Sequence, residues 1–217
     1  MTGWNGLLRK EWMLMRYTFI AFIVVFVVIA VSSFAPLAVG GIFDLVEITN
    51  MFSYLQMYFG ALLFIHSLHT DMKQPDIWLH SPASITQLLA SKMLMALLLV
   101  GVSNLIWSGI GVVAYFIGGF EGVIPGWPNL LKVFLTATFA ISASLPIWVI
   151  YRLLSLKIGW LAVIVVIIFF TLVSMVWGII EVIWGEIGPD IGSLVYILVS
   201  FVLFAGGAIL LEKKVRY

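Results

Sequence analysis

Apolar residues fall into six long runs separated by short polar stretches. The runs lie at about 17–40, 51–69, 93–119, 131–151, 159–180 and 194–211. Each is about 18 residues or longer and nearly free of charge, the signature of a helix that crosses a bilayer. No run has the strict alternation of a half-buried strand. The pattern predicts an all-α, polytopic membrane protein with six transmembrane helices in one transmembrane domain, 1–217. No 20–50-residue repeat and no separate soluble domain interrupt it.

The stretches between the runs carry the remaining signals. Residues 3–16 form an amphipathic segment with Trp4, Leu7, Leu8, Trp12 and Met15 on one helical face and Arg9, Lys10 and Arg16 on the other. That pattern predicts an N-terminal interfacial helix. Glu11 falls on its apolar side, where it either snorkels or pairs with a neighbouring base, or meets a partner protein. Pro36 marks a kink or the exit of the first span. The acidic stretch 43–50 then reads as an outer loop. Residues 70–92 form the longest polar segment. Pro75 breaks any helix entering it, and Ser81-Pro82 reads as an N-cap followed by proline at the first helical position. A helix from Pro82 to 119 would be about 57 Å long, longer than a hydrocarbon core of about 30 Å. Pro125-Gly126-Trp127-Pro128 reads as an outer turn, and Pro146 as a kink in the fourth span. Tyr151–Lys157 reads as a short basic connection. The acidic segment 179–192, with Gly and Pro breaks, reads as a loop or as a small helix on the outer leaflet.

Composition agrees with a membrane chain: 63% of 217 residues are hydrophobic and 10% charged, against about 25% charged in ordinary globular domains. The mean hydropathy is +1.18. Charge then orients the spans. With the N-terminus inside, ten Lys and Arg lie on the inner side, and Lys132 is the one basic residue outside. The positive-inside rule therefore puts both termini and the 70–92 loop in the cytoplasm, with the chain in the cell membrane. The basic N-terminal start resembles a signal peptide, but its apolar run is too long for one and is read as a retained span.

Absent motifs narrow the chemistry. With no cysteine, disulfides and thiolate metal sites are excluded. No His-Glu-x-x-His, Gly-x-Ser-x-Gly or Gly-x-x-x-x-Gly-Lys-Ser/Thr pattern occurs, so neither an enzyme nor an ATPase is expected on this chain. Nothing points to nucleic acid. No predicted span carries a charge near its middle, which weakens an ion-coupled transporter. His66, Ser67, His69 and Asp71 allow a metal reading, because His-x-x-His shares a helical face; a polar cluster at headgroup level is the alternative, and no metal is expected. Gln56, Ser103 and Asn104, with Ser142 and Ser144, are the interior polar residues. They suit either helix packing or a substrate path.

The layout resembles the membrane-spanning permease subunit of a type-2 ABC exporter. The resemblance rests on Leu7-Leu8-Arg9-Lys10-Glu11 with Arg16, on the 70–92 loop with Asp71, Lys73 and Asp76 before Trp78-Leu79-His80-Ser81-Pro82 and then Gln87-Leu88-Leu89 and Lys92, and on six spans with a broken outer segment after the fifth. It departs from the family at Gln74-Pro75, where Gly-Thr is expected. The resemblance implies that the 70–92 loop holds a coupling helix. It also implies two copies of a cytoplasmic ATP-binding subunit, a second membrane subunit that is identical or related, and ATP and Mg held by that partner. Glu11, Asp71, Lys73, Asp76, Trp78, Leu79 and His80 would contact the ATPase, with Trp78 and Leu79 as anchors. Gln56, Ser103 and Asn104 would line the path of an amphipathic or apolar cargo such as a peptide, lipid or drug-like molecule. The competing reading is a non-transporting regulatory or sensory subunit that binds a cytoplasmic partner through the same loop.

Overall fold

The computed structural model describes residues 4–34, 45–73, 84–118, 127–159, 161–187 and 189–215. These residues form six helices and no strand: α1 (Trp4–Phe34), α2 (Leu45–Asp71), α3 (Ile85–Gly118), α4 (Trp127–Ile158), α5 (Leu161–Ile187) and α6 (Pro189–Val215). Among the described residues, α1, α3, α4, α5 and α6 each hold a stretch long and apolar enough to cross a membrane. The predicted second span, 51–69, lies inside α2.

Several boundaries differ from the sequence reading, each for a local reason. The predicted interfacial helix 3–16 is not separate, because nothing between Arg16 and Tyr17 breaks the helix and α1 runs through. Its apolar seam, Leu7, Met15, Phe19 and Phe26, turns into the protein, while Trp4 and Trp12 are exposed. The expected outer loop 43–50 gives way from Leu45 to the first turns of α2. α3 begins at Ile85, not Pro82. Ser84 is its N-cap: Ser84 Oγ accepts from the Gln87 backbone N–H at 3.2 Å, and Gln87 Oε1 accepts from the Ser84 N–H at 3.2 Å. That is a reciprocal capping box. Tyr151–Lys157 is no connection but the last turns of α4, which ends at Ile158 with Gly159 next. Gly159 has a φ of 56°, the left-handed conformation that glycine adopts without strain at a helix C-terminus. The acidic segment after the fifth predicted span is also helical: α5 continues to Ile187, and Pro189 opens α6, where its missing N–H costs nothing. Pro36, Ser81-Pro82 and Pro125-Gly126 lie outside the described residues.

α4 is the centre of the bundle. It packs against α2, α3, α5 and α6, while α1 packs on α2 and α3. Of the membrane-length windows, that of α4 is 72% buried and that of α5 only 6%. The exposed face of α5 carries Ile164, Ile167, Ile168, Leu172, Met175 and Ile179. Such a continuous apolar surface is untenable in water and ordinary in lipid.

Helix direction follows from the paired residues. Glu11–Lys92 and Phe26–Trp107 join α1 and α3 at the same sequence offset, so these two helices are parallel. Phe19 meets Phe59, and Glu11 meets Ser67, so α2 runs against them. Gly60 packs on Val100 and Ile141, where an added Cβ would lie 2.8 and 3.0 Å from their side chains. Here α2, α3 and α4 approach as closely as a missing side chain allows.

Candidate functional site

One buried ionic cluster joins three helices at the end of the bundle that holds the α2–α3 loop. α1 contributes Lys10 and Glu11, α2 contributes Ser67 and Asp71, and α3 contributes Lys92. Glu11, Ser67 and Lys92 have no exposed surface. The Lys92 ammonium lies 2.9 Å from both Glu11 carboxylate oxygens, 2.6 Å from Ser67 Oγ and 2.7 Å from Asp71 Oδ2. Three protons thus face three acceptor groups, the full capacity of an ammonium. Ser67 Oγ donates in turn to Glu11 Oε2 at 2.6 Å. Lys10, with its side chain 37% exposed, closes the cluster on Asp71 at 3.0 Å. Two carboxylates and two ammonium groups leave it neutral, the condition under which charges survive burial.

Sequence position explains the arrangement. Ser67 and Asp71 are four residues apart and share one face of α2. His66 and His69 lie off that face and are exposed. The four candidate residues therefore divide, and no group of three His, Asp or Glu side chains gathers among the described residues. Glu11 lies four residues from Leu7 and Met15, on the same buried seam. Its partner is Lys92 of α3, together with Ser67, rather than a base near it in sequence.

The remaining candidate residues are placed as follows. Lys73 is exposed, just past the end of α2. Asp76, Trp78, Leu79 and His80 lie outside the described residues. Gln56 and Ser103 meet at the α2–α3 contact, where Gln56 Nε2 donates to the Ser103 carbonyl at 3.4 Å. Asn104 is buried beside them in sequence, and its carbonyl accepts from Ser108 Oγ at 2.9 Å. Ser144 donates to the Ile141 carbonyl at 2.7 Å. The Ser103 and Ser142 hydroxyls have no hydrogen-bond partner among the described residues.

A second polar cluster, absent from the sequence reading, joins the other three helices. Tyr196 of α6 donates from its hydroxyl to Glu181 Oε1 of α5 at 2.7 Å. The same hydroxyl oxygen accepts from Trp177 Nε1 at 3.0 Å and from Thr136 Oγ1 of α4 at 3.3 Å. Glu181 also pairs with Lys132 of α4, whose ammonium lies 5.9 Å from the Trp184 ring centre. Because α2 and α4 are parallel, this cluster sits at the opposite end of the bundle from Lys92. A sequence signal existed: Trp177, Glu181 and Trp184 fall on one face at helical spacing. It is visible only once 179–187 is taken as helix.

No family model, curated protein or solved structure matches this chain.

Proposed function

We propose that this protein is the transmembrane subunit of an ATP-driven exporter whose ATPase is a separate cytoplasmic chain. In this reading α2 is the sixth crossing, both termini are cytoplasmic, and the chain lies in the cell membrane. Ten of its eleven Lys and Arg then lie on the cytoplasmic side, as the positive-inside rule requires. The observation that carries the reading is the Glu11–Ser67–Asp71–Lys92 cluster. Asp71 and Lys92 lie on either side of the α2–α3 connection and pair with each other, and each is tied to α1, Lys92 through Glu11 and Asp71 through Lys10. A partner pushing on that loop would therefore move three helices as one body instead of bending the loop alone. The stiff helix that follows, Ile85–Gly118, is about 51 Å long at 1.5 Å per residue.

Within this reading Glu11 and Asp71 transmit force inside the subunit. The partner-facing role falls to Lys73, Asp76, Trp78, Leu79 and His80, with Trp78 and Leu79 filling a groove in the ATPase and the charged residues setting register. ATP and Mg belong to that partner. A second membrane subunit, identical or related, completes the assembly. The cargo is amphipathic or apolar.

Purification of the chain with its ATPase, followed by Trp78→Ala combined with Leu79→Ala, tests the coupling. The expected result is loss of stimulated ATPase activity and of transport. An intact complex whose transport is unaffected would sink the coupling proposal. A stable complex with a cytoplasmic protein that hydrolyses no ATP would favour the regulatory subunit instead.

A further inference from the structure

A cleft of about 290 Å³ lies between α2 and α5, with α4 as its floor. α2 and α5 both pack on α4 and pack little on each other, and small residues on α4, Ala140, Ala143 and Ser144, deepen the gap. Tyr58, Thr136 and Trp177 line one end, and Ile65, Ile147 and Phe170 the other. Three of its four hydroxyls are engaged within the protein, and the fourth, that of Tyr58, belongs to the same end as Thr136 and Trp177. Ser144 and Ser174 donate to carbonyls of their own helices, and Thr136 donates to Tyr196.

We propose that this cleft holds one acyl chain of a membrane phospholipid, whose phosphate lies against Lys132. The length of the cleft suits an acyl chain. From Thr136 to Ile147 the cleft follows α4 for about 16 Å, close to half of a roughly 30 Å hydrocarbon core. The polar end has matching chemistry. Lys132 stands one turn beyond Thr136 on α4, and Glu181 one turn beyond Trp177 on α5. Both are about a third exposed. Glu181 occupies one direction of the Lys132 ammonium, which has three protons to donate. Trp177 and Trp184 are the aromatic residues expected at a lipid headgroup boundary. The mouth residues Leu62 and Phe170 are 62% and 50% exposed, so hydrocarbon has access from the side. The site requires a bilayer around the bundle and is independent of any ATPase.

The test places the full chain in nanodiscs of phosphatidylcholine carrying a diazirine midway along one acyl chain, with irradiation and peptide mapping by mass spectrometry. Label is expected to concentrate on peptides containing Leu62, Ala140 and Phe170, above the density on the exposed α6 face at Ile197 and Phe201. Ala140→Trp, or Ser174→Phe from the other wall, should remove most of the cleft label. The α6 label should persist, which shows that the variant remains folded in the bilayer. Lys132→Gln should lower the cleft label severalfold. Equal label on both faces, or cleft label unchanged by Ala140→Trp, overturns the acyl-chain site, and cleft label unchanged by Lys132→Gln overturns the phosphate contact. The chain has no cysteine, so Leu62→Cys supplies a further arm. Efficient disulfide cross-linking between copies at that position would give the cleft to a second copy of the chain and overturn the lipid.

Discussion

Replacing Lys92 with methionine should be among the most damaging single changes outside the apolar core. Methionine conserves much of the side-chain volume, so little of the cost is packing. What is lost is the ammonium that faces Glu11, Ser67 and Asp71 at 2.6–2.9 Å. Glu11 has no exposed surface, and once Lys92 is gone only Lys10, on the far side of Asp71, offsets two carboxylates. Breaking a buried pair in this way costs about 3–5 kcal/mol, a large share of the roughly 5–15 kcal/mol that stabilises a typical domain. Glu11→Gln should cost less, about 1–3 kcal/mol, because Lys92 keeps Asp71 and Ser67. Replacing the buried group together (Glu11→Leu, Ser67→Ala, Asp71→Leu, Lys92→Met) should return stability to near the starting value, since no buried charge is then left unpaired and the exposed Lys10 can turn to solvent. Steric trapping in bicelles measures all three against the parent. The reasoning is refuted if Lys92→Met lies within about 0.5 kcal/mol of the parent, or if it is no worse than Glu11→Gln.

Glycine substitutions should divide by surroundings. Gly60→Ala would bring a Cβ within 2.8 Å of Val100 Cγ2 and should cost about 1–3 kcal/mol by overpacking, with Val100→Ala restoring part of it. Gly207→Ala, at 2.8 Å from Leu145 Cγ, should behave alike. Gly101→Ala, with nothing within 4 Å, should be neutral or slightly stabilising in thermal unfolding. Tyr196→Phe removes the donor to Glu181 and the acceptor for Thr136 and Trp177; about 1–3 kcal/mol of stability should go with it. Ser84→Ala should destabilise the start of α3 by about 0.5–2 kcal/mol, read as faster amide exchange in its first turn.

The sequence carried the helical class and most helix centres, because membrane-length apolar runs leave few alternatives. It carried the ends poorly. Ser81-Pro82 looked like a helix start on its own, but Ser84 with Gln87 makes two reciprocal bonds, and the helix begins there. The acidic residues and the Gly and Pro breaks near Glu181 suggest a loop or a small separate helix, whereas α5 continues to Ile187; Lys132 and Tyr196 provide the partners that make Glu181 tolerable there. Glu11 was legible as an anomaly on an apolar face. Its partner was not, because Lys92 lies far along the chain and only the packing of α1 against α3 brings them together. Gln56 and Ser103 were found as interior polar groups, and the structure places them at one helix contact.

The two polar clusters divide the bundle in a way neither does alone. The Lys92 cluster draws one or two residues from each of α1, α2 and α3, and the Tyr196 cluster does the same for α4, α5 and α6. Each half is thus fastened by hydrogen-bonded charge, one at the loop end and the other at the opposite end. Across the divide lie apolar contacts, such as Gly60 on Ile141 and the buried cluster to which both Leu63 and Leu145 belong. Directional polar bonds resist sliding, while apolar side chains in lipid gain little from one partner over another. The seam between the halves, along the α2–α4 contact that borders the acyl-chain cleft, is thus held by close apolar packing. If the exporter proposal holds, a force delivered at the α2–α3 connection enters the first half at its ionic cluster, and its effect should emerge at the cleft. Cross-linking Leu62→Cys on α2 to Ser174→Cys on α5 should then impair coupled activity, whereas a cross-link within the first half, such as Met15→Cys to Leu63→Cys, should not.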